Sequence, residues 1–197
     1  MESMAAVQIE DKWGFIDSQG NLIIPPEFAN VGNFSHDLAQ IQINQKWGYI
    51  DNQGKIIIPP QFDRAESFLE GLAAVQIGEK YGYIDKTGKI VIPWQFAGAD
   101  SFYEGIAAVK INDKVGYIDT TGKFIIPPQF EEINEYFMAY PFAQGLAAVE
   151  IEGNWGYIDN RGNVVIPAQF ADANSFSEGM AAVEIDYLWG YISHPNN

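Results

Sequence analysis

The 197 residues include two histidines, His36 and His194, and no cysteine. Imidazole is the side chain best suited to move protons near neutrality. His36 falls in a loop and His194 in a polar terminal segment, and neither stands in a Ser-His-Asp arrangement. Both are assigned surface roles. Two histidines give no zinc-ligand spacing, and without cysteine there is no thiolate nucleophile, disulfide or Cys-ligated zinc. Five aspartates, Asp17, Asp51, Asp85, Asp119 and Asp159, each precede a glycine by three positions. A calcium loop needs alternating acidic ligands, whereas each of these segments offers a single carboxylate. Their expected task is to accept backbone N–H bonds within a turn. Hydrolysis by paired carboxylates needs two particular acids in a cleft, and no pair stands out. The aromatic series Trp13, Trp47, Tyr81, Trp155 and Trp189 could stack on sugars, but packing between repeats is the simpler reading. These residues indicate no enzyme, no metal and no cofactor.

The charge balance narrows the partners. Lys and Arg total 11 against 26 Asp and Glu, for a formal net charge of −15. Phosphate binding needs clustered cations, so nucleic acid is disfavoured, as is an anionic membrane surface. A basic protein or peptide fits better. With 47% apolar residues the chain can bury a real core. The N-terminal segment lacks a basic region and a long apolar run, so it does not read as a signal peptide. No apolar run approaches the ~18 residues of a membrane helix. A cytoplasmic location is expected.

The elements that must position these residues repeat. Glycines recur at 14, 48, 82, 116, 156 and 190, in steps of 34, 34, 34, 40 and 34. Around them lie near copies of Lys46-Trp47-Gly48-Tyr49-Ile50-Asp51. A Leu-Ala-Ala-Val segment precedes each, and an Ile-Ile-Ile-Pro-Pro-Gln-Phe segment follows the first five. The residue types alternate as in strands, so each unit reads as three antiparallel strands. The first resembles Leu72–Ile77, the second Lys46–Asp51 and the third Lys55–Ile58. The third is apolar on both faces, which predicts burial on both, and it is expected to stop at Pro25, Pro59, Pro93, Pro127 and Pro167. Asp51-Asn52-Gln53-Gly54 and its counterparts predict a hairpin turn. A crossing loop with one short helical turn then carries two recurrent phenylalanines, such as Phe62 and Phe68, which are assigned to core packing. The glycine is kept in all six copies while its Trp neighbour becomes Tyr81 or Val115, so a neighbouring group must approach that glycine closely.

At these residues the chain resembles the WG-repeat family, named for its Trp-Gly pair, over essentially its whole length. The resemblance implies a bacterial, non-enzymatic repeat protein that mediates interactions.

The fold expected is all-β, a single domain over 1–197 of five full repeats and a C-terminal partial repeat. The first two strand types occur six times and the third only five, so an open twisted array is favoured over a closed propeller-like ring. The function expected is a non-catalytic scaffold binding protein or peptide through an acidic surface. The alternative is a lectin-like array binding a glycan or small ligand. Packing does not require departures from the repeat, so they mark the candidate partner site. One is the six-residue insertion, which supplies Glu131, Glu132, Glu135, Tyr136, Phe137 and Tyr140. The other is Trp94, where four other copies carry Pro26, Pro60, Pro128 or Ala168.

Overall fold

The computed structural model describes residues 4–131 and 139–196. The chain forms two compact units, Met1–Gln95 and Phe96–Asn197. Among the described residues there is no helix, and so none long and apolar enough to cross a membrane.

In the first unit, β1 (Ala5–Ile9), β2 (Lys12–Ile16) and β3 (Leu22–Phe28) form one sheet in chain order. The second sheet adds a two-residue outer strand, β4 (Asn30–Val31), to β5 (Leu38–Ile43), β6 (Lys46–Asp51) and β7 (Ile56–Phe62). The third repeats that order with β8 (Arg64–Ala65), β9 (Leu72–Ile77), β10 (Lys80–Asp85) and β11 (Ile90–Phe96), whose last residue counts with the second unit. In the second unit, β12 (Gly98–Ala99), β13 (Ile106–Ile111), β14 (Lys114–Asp119) and β15 (Phe124–Phe130) form the fourth sheet. The fifth contains β16 (Leu146–Ile151), β17 (Asn154–Asp159) and β18 (Val164–Phe170). The sixth contains β19 (Asp172–Ala173), β20 (Met180–Ile185) and β21 (Leu188–Ser193). The chain is therefore all-β, in tandem antiparallel repeats of about 34 residues. None of the six sheets closes on itself.

The short outer strands extend the three-stranded unit expected from the pattern. Two further expectations are corrected. The third strand does not stop at proline. β3 runs through Pro25 and Pro26, because Trp13 pairs with Phe28 and Phe15 with Ile24, leaving three residues opposite Gly14. A bulge on an outermost strand is where a residue without an N–H is tolerated. Nor is the third strand buried on both faces. As the outermost strand it exposes Ile23 and Ile56, and buries chiefly Ile24 and Ile58.

The need for glycine follows directly. A Cβ on Gly48 would stand 2.5 Å from the Ile58 carbonyl oxygen and 2.6 Å from the Pro60 nitrogen. On Gly156 it would stand 2.7 Å from the Ala168 nitrogen. Both neighbours are backbone and cannot swing aside.

Within each unit the core lies between consecutive sheets. In the first unit Tyr49, Ile58, Phe62 and Phe68 pack against Ala73, Val75 and Ile84. In the second, Tyr157, Phe170 and Phe176 pack with Ala181 and Val183. Each fully buried Phe stabilises such an interface by roughly 1.5–3 kcal/mol. The tyrosine hydroxyls are satisfied there, with Tyr49 donating to the Glu66 carbonyl at 2.7 Å and Tyr157 to that of Asn174 at 2.8 Å.

The crossing segment contains a tight turn in place of the expected helical one. Ser35 and Leu38 bond each other's backbone across His36 and Asp37, both at positive φ. The counterparts at Leu69–Leu72 and Tyr103–Ile106 do the same across a Glu-Gly pair. A two-residue turn with positive φ matches strand twist better than a helical turn.

Candidate functional site

The aspartate turns are structural. Asp119 Oδ1 accepts from the amides of Thr121 at 2.9 Å and Lys123 at 3.1 Å, and the Thr121 hydroxyl adds a third bond at 2.6 Å. Asp17, Asp51, Asp85 and Asp159 make the same two amide contacts in their own turns. Among the described residues, no cluster of three or more acidic or imidazole groups is placed to hold a metal.

The histidines differ from each other. His36 is exposed in its turn, and its Nδ1 lies 2.9 Å from the Phe68 carbonyl oxygen. His194 is not a surface residue, as the polar segment around it suggested. It is buried, edge-on to the Phe176 ring at 5.0 Å, with Nε2 3.0 Å from the Gln144 carbonyl oxygen. Its ring fills space beside an aromatic core, so apolar contact outweighed the polarity of its neighbours in sequence.

The aromatic series is not a uniform exposed ladder. Trp13 and Trp47 are half-buried against their units' cores, and Trp155 is buried beside Tyr140. Trp189 alone of these is exposed. Trp94 is half-buried against the Tyr49–Phe68 cluster of the first unit, with Nε1 buried and unpaired. It packs as a core side chain there.

The insertion lies between two residues in regular repeat positions. Glu131 pairs with Lys114, seventeen residues earlier, as Asp63 pairs with Lys46 at 2.5 Å over the same interval. The Tyr140 carbonyl accepts from the Tyr117 hydroxyl at 3.4 Å, the task Glu66 performs for Tyr49. The extra residues therefore fall strictly between Glu131 and Tyr140. Glu132, Glu135, Tyr136 and Phe137 lie outside the described residues. Tyr140 is anchored, its ring edge-on to Trp155 at 5.4 Å, and burial pushes its phenol above the usual value, with Asp172 adding to the shift.

Beside Glu131 opens a depression of about 320 Å³. Phe130, Ile151, Ile158 and Val164 give it an apolar floor, and Glu131, Glu150 and Glu152 give it a carboxylate rim. Glu131 retains one cation partner, Lys114, and is itself exposed. The arrangement offers negative charge over apolar surface.

Reasoning from the repeat pattern missed Gln40, which is buried where other copies carry Ala74, Ala108, Ala148 and Ala182, and which donates from Nε2 to the Ser67 hydroxyl at 3.0 Å.

The model of the WG containing repeat matches residues 13–47, 47–81, 81–114, 116–155 and 155–189. The chain belongs to the WG-repeat family. None of the curated proteins matches this WG-repeat chain. Among solved structures it is similar to a eukaryotic initiation factor, with TM-score 0.63 and 14% identity over 98% of this chain and 61% of that one. The WG-repeat chain thus spans about three fifths of that structure's length. It is also similar to Hsv2p of Kluyveromyces lactis, with TM-score 0.59 and 12% identity over 97% of this chain and 71% of that one. At such identities the likeness concerns the fold alone.

Proposed function

We propose that this WG-repeat chain is a non-catalytic scaffold that binds a basic protein or peptide segment on the acidic face of its second unit. The observation that carries this reading is the depression between Glu131, Glu150 and Glu152, next to the one segment that breaks the 34-residue step. Its apolar floor suits the stem of a lysine or arginine, and its rim suits the cationic head. The net charge of −15 adds long-range attraction for a cation. The described imidazoles face backbone carbonyls rather than a reacting centre, which favours binding over catalysis. The packing of Trp13, Trp47 and Trp155 gives no support to a sugar-stacking alternative.

The test is titration with an oligolysine peptide at rising salt. Affinity should fall steeply as the screening length shortens. A variant lacking six residues between Glu131 and Tyr140, or carrying Glu150→Lys and Glu152→Lys, should bind more weakly while remaining folded. Undiminished binding by both folded variants would remove this face from the site.

A further inference from the structure

Phe130 differs from its counterparts. It lines the depression and is half-buried, whereas Phe28, Phe62, Phe96 and Phe170, which hold the same place in their strands, are buried. Its cross-strand neighbour differs too. Trp13 pairs with Phe28, Trp47 with Phe62 and Trp155 with Phe170, but Phe130 pairs with Val115. Valine is too small to supply the flat surface that an indole gives the other rings.

The carboxylates around that ring are also particular to this place. In the first unit Asp63, at the position of Glu131, accepts from Lys46 Nζ at 2.5 Å and from the Gly78 amide at 2.8 Å, which ties the end of β7 to the next hairpin. In the second unit the residues matching Gln76 and Gly78 are Glu150 and Glu152. Three carboxylates therefore gather on the rim, and Lys114 answers one of them. A further cation relieves the repulsion among the three.

We infer that the depression is an arginine pocket: the guanidinium of a partner's arginine lies against the Phe130 ring and forks between Glu131 on one side and Glu150 and Glu152 on the other. This deepens the scaffold reading and rests on it. Three properties select arginine over lysine. The guanidinium is planar, so it covers a phenyl face that an ammonium meets only as a point charge. Its five N–H donors reach two carboxylates at once. It is also more weakly hydrated, so it loses less on entering a site with an apolar floor. The stem of the same side chain rests on Ile151 and Val164.

The experiment uses the full chain and two peptides of equal length and charge, hexa-arginine and hexa-lysine, with binding followed by calorimetry. The parent chain is expected to bind hexa-arginine about tenfold more tightly. Phe130→Leu keeps the floor apolar and should lower that preference to about twofold, with the affinity for hexa-lysine unchanged. Phe130→Met serves the same purpose if the leucine variant does not fold. Glu150→Lys with Glu152→Lys should weaken the binding of both peptides. Equal affinity of the parent chain for the two peptides would overturn the arginine assignment while leaving the scaffold reading in place. So would a preference that persists undiminished in the folded Phe130 variant. Binding of neither peptide by the parent chain, or undiminished binding of both by the folded double lysine variant, would overturn the two readings together.

Discussion

The Glu104 carboxylate receives the backbone amides of Gln144 at 2.7 Å and Gly145 at 2.8 Å, so a side chain in one turn caps the turn of the following repeat. Gln144 continues the relation by accepting from Gly179 N at 3.0 Å. Some of the acidity is thus committed to joining repeats within the second unit. Glu104→Ala removes both bonds and should destabilise by about 1–2 kcal/mol, discounted for the exposure of the pair. Chemical denaturation checks this. A change below a few tenths of a kcal/mol would show the capping to be energetically idle.

Gly48→Ala should be among the most damaging single changes in the first unit. The added methyl would meet the Ile58 and Pro60 backbone, and relief requires β7 to move away from β6. A loss of roughly 2–4 kcal/mol is expected, in the range of severe overpacking. Gly190→Ala serves as the internal control and should stay within about 0.5 kcal/mol of the parent. Comparable losses in the two variants would refute the steric account.

Tyr49 is predicted to be sensitive to high pH. Burial pushes its phenol far above the ordinary value of 10.0, with the charge of Glu66 adding to the shift. Burial acts in the same direction on Tyr117 and Tyr157. The folded state therefore holds these phenols neutral. The stability this contributes is complete below pH 10.0 and declines as pH rises above it. Tyr49→Phe loses the bond to Glu66 and should cost about 1–2 kcal/mol at neutral pH. The share of phenolate absorbance that belongs to these buried tyrosines should rise together with unfolding. Full ionisation of every tyrosine in a chain that remains folded would contradict the prediction.

At low pH the aspartate turns set the limit. Side-chain bonds from Asn21, Thr87, Thr121 and Asn163 hold Asp17, Asp85, Asp119 and Asp159 below their ordinary value of 3.8, and backbone amides add to this. A depressed folded value means stability that is present above 3.8 and is lost as pH falls through the folded values. From neutrality towards the isoelectric region near 4.3, falling net charge also reduces self-repulsion. The melting temperature should hold or rise slightly over that interval and drop below it. A steep decline beginning near neutrality would count against the turns as the acid-sensitive element.

The repeat, the hairpins and the need for glycine were legible because each rests on local rules applied in repeat after repeat. The behaviour of Pro25 and Pro26 was not. A proline pair normally ends a strand, and only the opposing Gly14 shows that the backbone can bulge and continue. The exposure of Ile23 and Ile56 was hidden for a related reason, since an apolar run does not reveal whether its strand is central or outermost. Glu131 illustrates the difficulty at the candidate site. Read along the chain it begins an insertion, but its pairing with Lys114 makes it an ordinary repeat residue. His194 shows the reverse, a residue from a polar segment that tertiary contact with Phe176 draws inward.

The two-residue turns at Glu10–Asp11, Asn44–Gln45, Asn112–Asp113 and Asp186–Tyr187 have a consequence for biogenesis. They pair strands that are adjacent in the chain, so the earliest contacts close very small loops and carry little entropic penalty. On a ribosome each hairpin can form as soon as its second strand emerges, and within a unit each new sheet then finds the previous one already assembled as a surface to settle on. Synthesis and folding would advance together, one repeat at a time.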